Sequence, residues 1–277
     1  MRRIAFTSAV ILFALSAAIA QAQESQPASP LTVPTASYAQ AYCTGFIAPT
    51  ISPDLFILGG GDDDFHSVVR QFVQDESVFI AQRGGPGITP GAEYSVIRPA
   101  KEMFETMRYQ GEGGEIGKLG RPYEDVAQVK VTHINPDGVV AKVTFSCGAI
   151  VPGDILVPFQ PRVIPDSTIS TGFDHFAPLD KSKSHGRIAA SRNNFGFFGN
   201  QTVVYLTLGE KEGAKPGSRF RIYKVLPRVS TGLLSSKATP PETIGEAVVL
   251  SVQARSCVAM VVSSAREISS GDYVDEE

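Results

Sequence analysis

Short apolar runs divided by glycine, proline and aspartate dominate this chain, and they come in two matching series. Val78-Phe79-Ile80 leads to Gly87-Ile88-Thr89-Pro90-Gly91 and then to Tyr94-Ser95-Val96-Ile97. At an offset of 126, Val204-Tyr205-Leu206 leads to Gly213-Ala214-Lys215-Pro216-Gly217 and Phe220-Arg221-Ile222-Tyr223. Farther along the offset falls to 118 and holds without a gap, laying residues 126–154 over 244–272. Both stretches close on Ile-x-x-Gly-Asp, at Gly153-Asp154 and Gly271-Asp272. A shorter match lays Gly45-Phe46-Ile47-Ala48 over Gly186-Arg187-Ile188-Ala189.

Short runs rich in Val, Ile, Phe and Tyr, bounded by turn residues, predict strands. In Gly-x-x-Pro-Gly the proline presets φ and the next glycine accepts the positive φ of a type II turn. Gly87, Pro90, Gly91, Gly213, Pro216 and Gly217 are therefore read as structural turn residues. Gly153, Asp154, Gly271 and Asp272 mark a second turn before a closing strand. Helical patterning is confined to 100–110, a turn or two on a loop. Each unit then offers about five strands, enough for a small barrel whose closure removes exposed edges. The expected class is all-β, with two tandem barrels at 39–160 and 185–277 joined by a proline-punctuated linker at 161–184. Two copies make this a duplication rather than a solenoid.

This order of turns and strands resembles the C-terminal domain of flagellar assembly protein T and related domains of exported bacterial proteins. It runs through V-(Y/F)-(I/L), G-x-x-P-G-x-x-(F/Y)-x-(I/V) and I-x-x-G-D. The resemblance implies that both modules are SH3-like barrels with a structural role in the periplasm. It supplies no catalytic residue.

The N-terminus refines the address. Arg2 and Arg3 precede an apolar run from Ile4 to Ala20, and Ala20-Gln21-Ala22 places small residues at both positions of a cleavage site. That is the layout of a signal peptide spanning 1–22, so the expectation is export to the periplasm or cell envelope after cleavage near Ala22. The run is too short and too interrupted for a membrane span, and the mature chain is expected to have no transmembrane segment. Residues 23–38 are polar and rich in Pro and Ser, as a disordered leader would be. Removing the leader takes the formal net charge from −3 to −5. Without a dense cationic patch, nucleic acid is a poor partner.

Three cysteines are present, Cys43, Cys147 and Cys257. The repeat replaces Cys147 by Ala265 and the Cys43 position by a residue near Ser184, so both are lost together. That points to a Cys43–Cys147 disulfide, two independent buried thiols being the alternative. Cys257 aligns with Val139 and reads as an apolar core residue.

Candidate chemistry is sparse. Asp62, Asp64 and His66 offer ligands for a cation, but consecutive side chains in an extended run cannot converge, and a solvated hairpin tip explains them as well. Gly59-Gly60-Gly61 lacks the Lys-Ser/Thr ending of a phosphate loop. His133, His175 and His185 are scattered, with His133 expected half-buried in a strand. No serine stands in a nucleophile elbow. Phe195, Phe197 and Phe198 on an Asn/Gly-rich stretch suit a glycan or protein contact, although burial of two of the three inside a barrel is the simpler expectation. The long tips at 100–125 and 228–243 differ most between the units and are binding candidates. No cofactor is expected. The resulting expectation is a non-enzymatic structural or protein-interaction module of the cell envelope. Glycan or peptidoglycan binding and, third, metal-dependent hydrolysis are the alternatives. Its partner would be an envelope protein or cell-wall glycan.

Overall fold

The computed structural model describes residues 32–60, 71–100, 106–168, 174–180, 182–225, 230–231, 234–235 and 240–277. The signal-peptide reading, and residues 23–31 of the leader, lie outside them.

An N-terminal arm comes first, made of β1 (Thr32–Pro34), α1 (Tyr38–Tyr42) and β2 (Phe46–Ala48). The first barrel follows, with β3 (Leu55–Gly60), β4 (Ser77–Gln82), β5 (Glu93–Pro99), helix α2 (Glu112–Leu119), β6 (Arg121–Asn135), β7 (Gly138–Ser146) and β8 (Ile155–Pro158). After β9 (Asp166–Thr168) comes the second, with β10 (His185–Ser191), β11 (Phe197–Phe198), β12 (Val203–Leu206) and β13 (Arg219–Lys224). It continues with β14 (Ser230–Thr231), β15 (Leu234–Ser235), β16 (Glu242–Val252), β17 (Cys257–Ser264), β18 (Ile268–Ser269) and β19 (Tyr273–Glu276). Among the described residues no helix is long and apolar enough to cross a membrane.

Both barrels close with six strands rather than about five, and in the same order. Around the first it is β3-β4-β7-β6-β5-β8, and around the second β10-β12-β17-β16-β13-β19. Their hydrogen bonds superimpose on the repeat. Gly91 N donates to Val131 O (3.0 Å) and Gly217 N to Val249 O (2.9 Å). Gly153 N donates to Ile57 O and Gly271 N to Ile188 O. The twin of Ile188 is therefore Ile57, not Ile47. The short match at Gly45–Ala48 is overturned, because those residues lie in the arm, where β2 pairs with Tyr123–Arg121 at the start of β6.

Each barrel is plugged by a phenylalanine from the segment before its second strand. Phe72 exchanges backbone hydrogen bonds with Ile150, and Phe198 stands opposite Ile268, its twin position. Gly60 makes room for this plug, since a Cβ there would come within 2.0 Å of the Phe72 ring.

Three apolar cores result. One fills the first barrel around Ile57, Val96, Val129 and Ala141. Another fills the second around Ile188, Val204, Ile222 and Val249. The third lies between the barrels, so they are not beads on a flexible thread. Strand β12 shows how one run serves two cores: Val204 and Leu206 point into the barrel, while Val203 and Tyr205 point out into the third core. Strand β17 does the same, with Cys257, Ala259 and Val261 inward and Val258 and Met260 outward. This two-sided burial explains the near-continuous apolar runs of the second unit.

The arm completes the third core. Ser37 caps α1 through a capping box with Gln40, and Ala41, Tyr42, Phe46 and Ile47 enter the inter-barrel cluster. Residues 32–38 thus carry a strand and a helix cap, correcting the disordered leader over that stretch. The linker is held as well. Strand β9 pairs with β1, and Arg162 grips Asp125 with two contacts of 2.8 Å. A helix forms at Glu112–Leu119; of the stretch 100–110, residues 101–105 lie outside the described residues, and residues 106–110 are not helical.

Candidate functional site

A polar cleft of about 530 Å³ opens where the arm, the first barrel and the second barrel meet. The Cys43–Cys147 disulfide forms part of its wall (S–S 2.03 Å). Cys43 follows α1 and Cys147 follows β7, so the bridge ties the arm to the first barrel rather than joining two strands of one barrel. Cys257 is fully buried in the second barrel, and burial pushes its thiol pKa up, which makes it a poor nucleophile.

Most charged groups around the cleft are already engaged. Asp125 is gripped by Arg162 and also accepts from Gly45 N. Arg98 makes two contacts of 2.7 Å to the buried carboxylate of Asp154, which holds the guanidinium protonated. Tyr205 crosses from the second barrel to donate to Thr44 O at 2.7 Å, and burial pushes its pKa up. By contrast, the exposed Arg192 guanidinium has no hydrogen-bond or ion-pair partner among the described residues. It faces the mouth together with Asn193 and Glu124.

The lip beside Arg192 is apolar and fixed. Buried Ser191 accepts from Phe195 N through Oγ (2.9 Å), and Asn194 turns the chain at φ +50°. Arg108, reaching over from the first barrel, donates to Asn194 O at 2.5 Å. The clamped loop holds Phe195 at 54% and Phe197 at 67% exposure, while Phe198 points inward at 8%. One phenylalanine plugs the barrel, not two. The twin of Phe197 in the first unit is exposed Gln71, so at that position the aromatic ring is peculiar to the second unit.

The remaining candidates disperse. Asp154 accepts from Val151 N and Asp272 from Ser269 N, each within its own turn, so no carboxylate pair forms. Desolvation raises the pKa of Asp272. Gly59 and Gly60 are strand residues. His133 is exposed rather than half-buried, and His175 Nδ1 contacts Thr243 O at 3.0 Å. Asp62, Asp64 and His66 lie outside the described residues. Among the described residues no three His, Cys, Asp or Glu side chains converge on a metal position. The tip at 100–125 is largely an inter-barrel contact: Tyr109 lies on the Gly271 turn, and Glu115 approaches Arg187 at 3.9 Å. Of the other tip, the described part includes a pair between Arg266 and Glu242.

Sequence reasoning missed the cleft because its walls come from the arm and both barrels, whose juxtaposition leaves no local pattern. The one available signal was the loss of both cysteines from the second unit, which marks the first unit's special attachment. No protein-family model matches this chain, and no curated protein matches it either.

Proposed function

We propose that this chain is an exported, non-enzymatic interaction module of the bacterial cell envelope, acting by presenting a fixed surface to a partner. One observation carries the reading: Phe195 and Phe197 are held out to solvent on a loop clamped from both barrels. Leaving aromatic rings in water is unfavourable, and fixing the loop in advance lowers the ordering cost of binding. The disulfide is compatible with an oxidising compartment, and the resemblance to the flagellar assembly protein T domain supports a structural role there. Cross-linked pull-down from native envelope, with wild type beside an F195A/F197A double variant, tests it. A partner captured by wild type and lost in the variant is expected. Turnover of a substrate in a broad hydrolase panel, abolished by changing one polar cluster, would sink the non-enzymatic reading.

The polar cleft beneath an aromatic lip favours glycan binding as a second reading, since sugars offer both an apolar ring face and hydroxyl groups. Co-sedimentation with purified cell wall, weakened by F195A/F197A, is its expected sign. Equal sedimentation of the variant removes it.

A further inference from the structure

The cleft between the arm and the two barrels keeps polar groups that folding leaves unused. Arg192 is fixed at its backbone, where its N–H donates to Val203 O at 2.9 Å. Its exposed guanidinium, however, has no partner among the described residues. Arg108 uses Nε and Nη2 on Asn194, which leaves Nη1 over. Exposed Glu124, on β6, likewise has no hydrogen-bond or ion-pair partner for its carboxylate among the described residues. The other charges on the wall are neutralised locally, Arg98 by Asp154 and Asp125 by Arg162. Two guanidinium groups then face one carboxylate, a positive surplus in a cleft of about 530 Å³. That volume lies in the range of small-ligand sites. On the same clamped loop, just beyond Arg192, stand the exposed rings of Phe195 and Phe197.

We propose that the cleft takes a carboxylated sugar, a uronate-type residue of an acidic glycan, with its carboxylate on Arg192 and its ring face on the aromatic lip. This rests on the glycan reading of the cleft and narrows it. Each unused group finds a counterpart in such a ligand. A guanidinium presents paired N–H donors that match the two oxygens of a carboxylate. The C–H face of a sugar ring covers an exposed aromatic ring. Glu124, an acceptor when ionised, and the Asn193 amide suit ring hydroxyls. The same groups disfavour two other anionic ligands. An acidic peptide brings further carboxylates against Glu124, and a free inorganic anion would leave both rings uncovered.

Titration calorimetry of the purified protein tests this with trisaccharides of galacturonate and of glucuronate. Their neutral counterparts, made by reducing the carboxyl groups to alcohols, serve as the matched controls. Wild type is expected to bind an acidic trisaccharide about tenfold more tightly than its neutral counterpart, the factor that one charge-assisted pair supplies. That preference should shrink as salt is raised. R192Q keeps an amide donor but loses the charge, and should bind both sugars alike, whereas R192K should keep part of the preference. F195A/F197A should weaken both sugars together and leave their ratio unchanged. Circular dichroism should match wild type throughout, because all three side chains are exposed. Equal binding of acidic and neutral sugars by wild type, or a preference that survives R192Q, overturns the proposal and leaves glycan binding itself standing. Acetate or a tetraglutamate peptide binding as tightly as the acidic trisaccharides overturns it too. Binding of no sugar of either kind overturns the glycan reading along with it.

Discussion

Gly91 and Gly217 hold φ at +77° and +88°, in the region where an L side chain is strained. A Cβ would meet nothing within 4 Å at Gly91 and only Pro165 Cβ, in ordinary contact at 3.5 Å, at Gly217, so backbone strain is the main penalty for adding one. Gly91→Ala and Gly217→Ala are each expected to destabilise by about 1 kcal/mol, after the smaller gain from a stiffer unfolded chain. Urea denaturation should give similar losses for the two, because the turns are twins. A different chemistry separates the Gly-Asp turns. Burial raises the folded pKa of Asp272 above the ordinary aspartate value of 3.8. Between those two values the folded state keeps a proton that the unfolded chain has released, so stability falls as pH rises through the window. Asp272→Asn retains a carbonyl acceptor for Ser269 N and should remove that fall. Stability curves for the two proteins from strongly acidic to neutral pH are expected to diverge upward from pH 3.8.

At the scale of elements, strands and corners were legible because each rests on local chemistry. The twin Pro-Gly corners, the Ile-x-x-Gly-Asp endings and the apolar runs of β4, β5, β12 and β13 all stand where the pattern puts them. Two elements were not. Strand β3 escaped the repeat because the Gly45 stretch offered a superficially better match to Gly186 than LFILGG does. The arm looked like a leader because Pro, Ser and Thr dominate its first residues, and its value comes from a seat built by distant strands. The bridge that anchors it closes a separation of 104 residues. In the chain-entropy model such a closure contributes roughly 4–5 kcal/mol. Chemical denaturation of the C43S/C147S variant should show a loss approaching that size, whereas Cys257, being buried, should stay inert to iodoacetamide until the chain unfolds.

For the whole molecule, the third core decides how the barrels behave. Neither can separate from the other without exposing Tyr205, Val258, Met260 and the arm residues Tyr42, Phe46 and Ile47. Calorimetry of the oxidised protein is therefore expected to show one cooperative transition, with calorimetric and van't Hoff enthalpies in agreement. Two resolved transitions would mean that the inter-barrel cluster contributes little. The candidate cleft is a property of this same scale. It exists only when three separate parts of the chain come together, and composition along a line cannot report that.

The arm's contacts also set an order of assembly. Thr44 O waits for the hydroxyl of Tyr205, and Ile47 O for that of Ser256, across 161 and 209 residues. A polypeptide emerging N-terminus first releases these residues early, long before their receptors exist. The arm's pairing with β6 and its bridge to Cys147 need only the first barrel, but its last contacts wait until Ser256 is made, so a part made early is completed late.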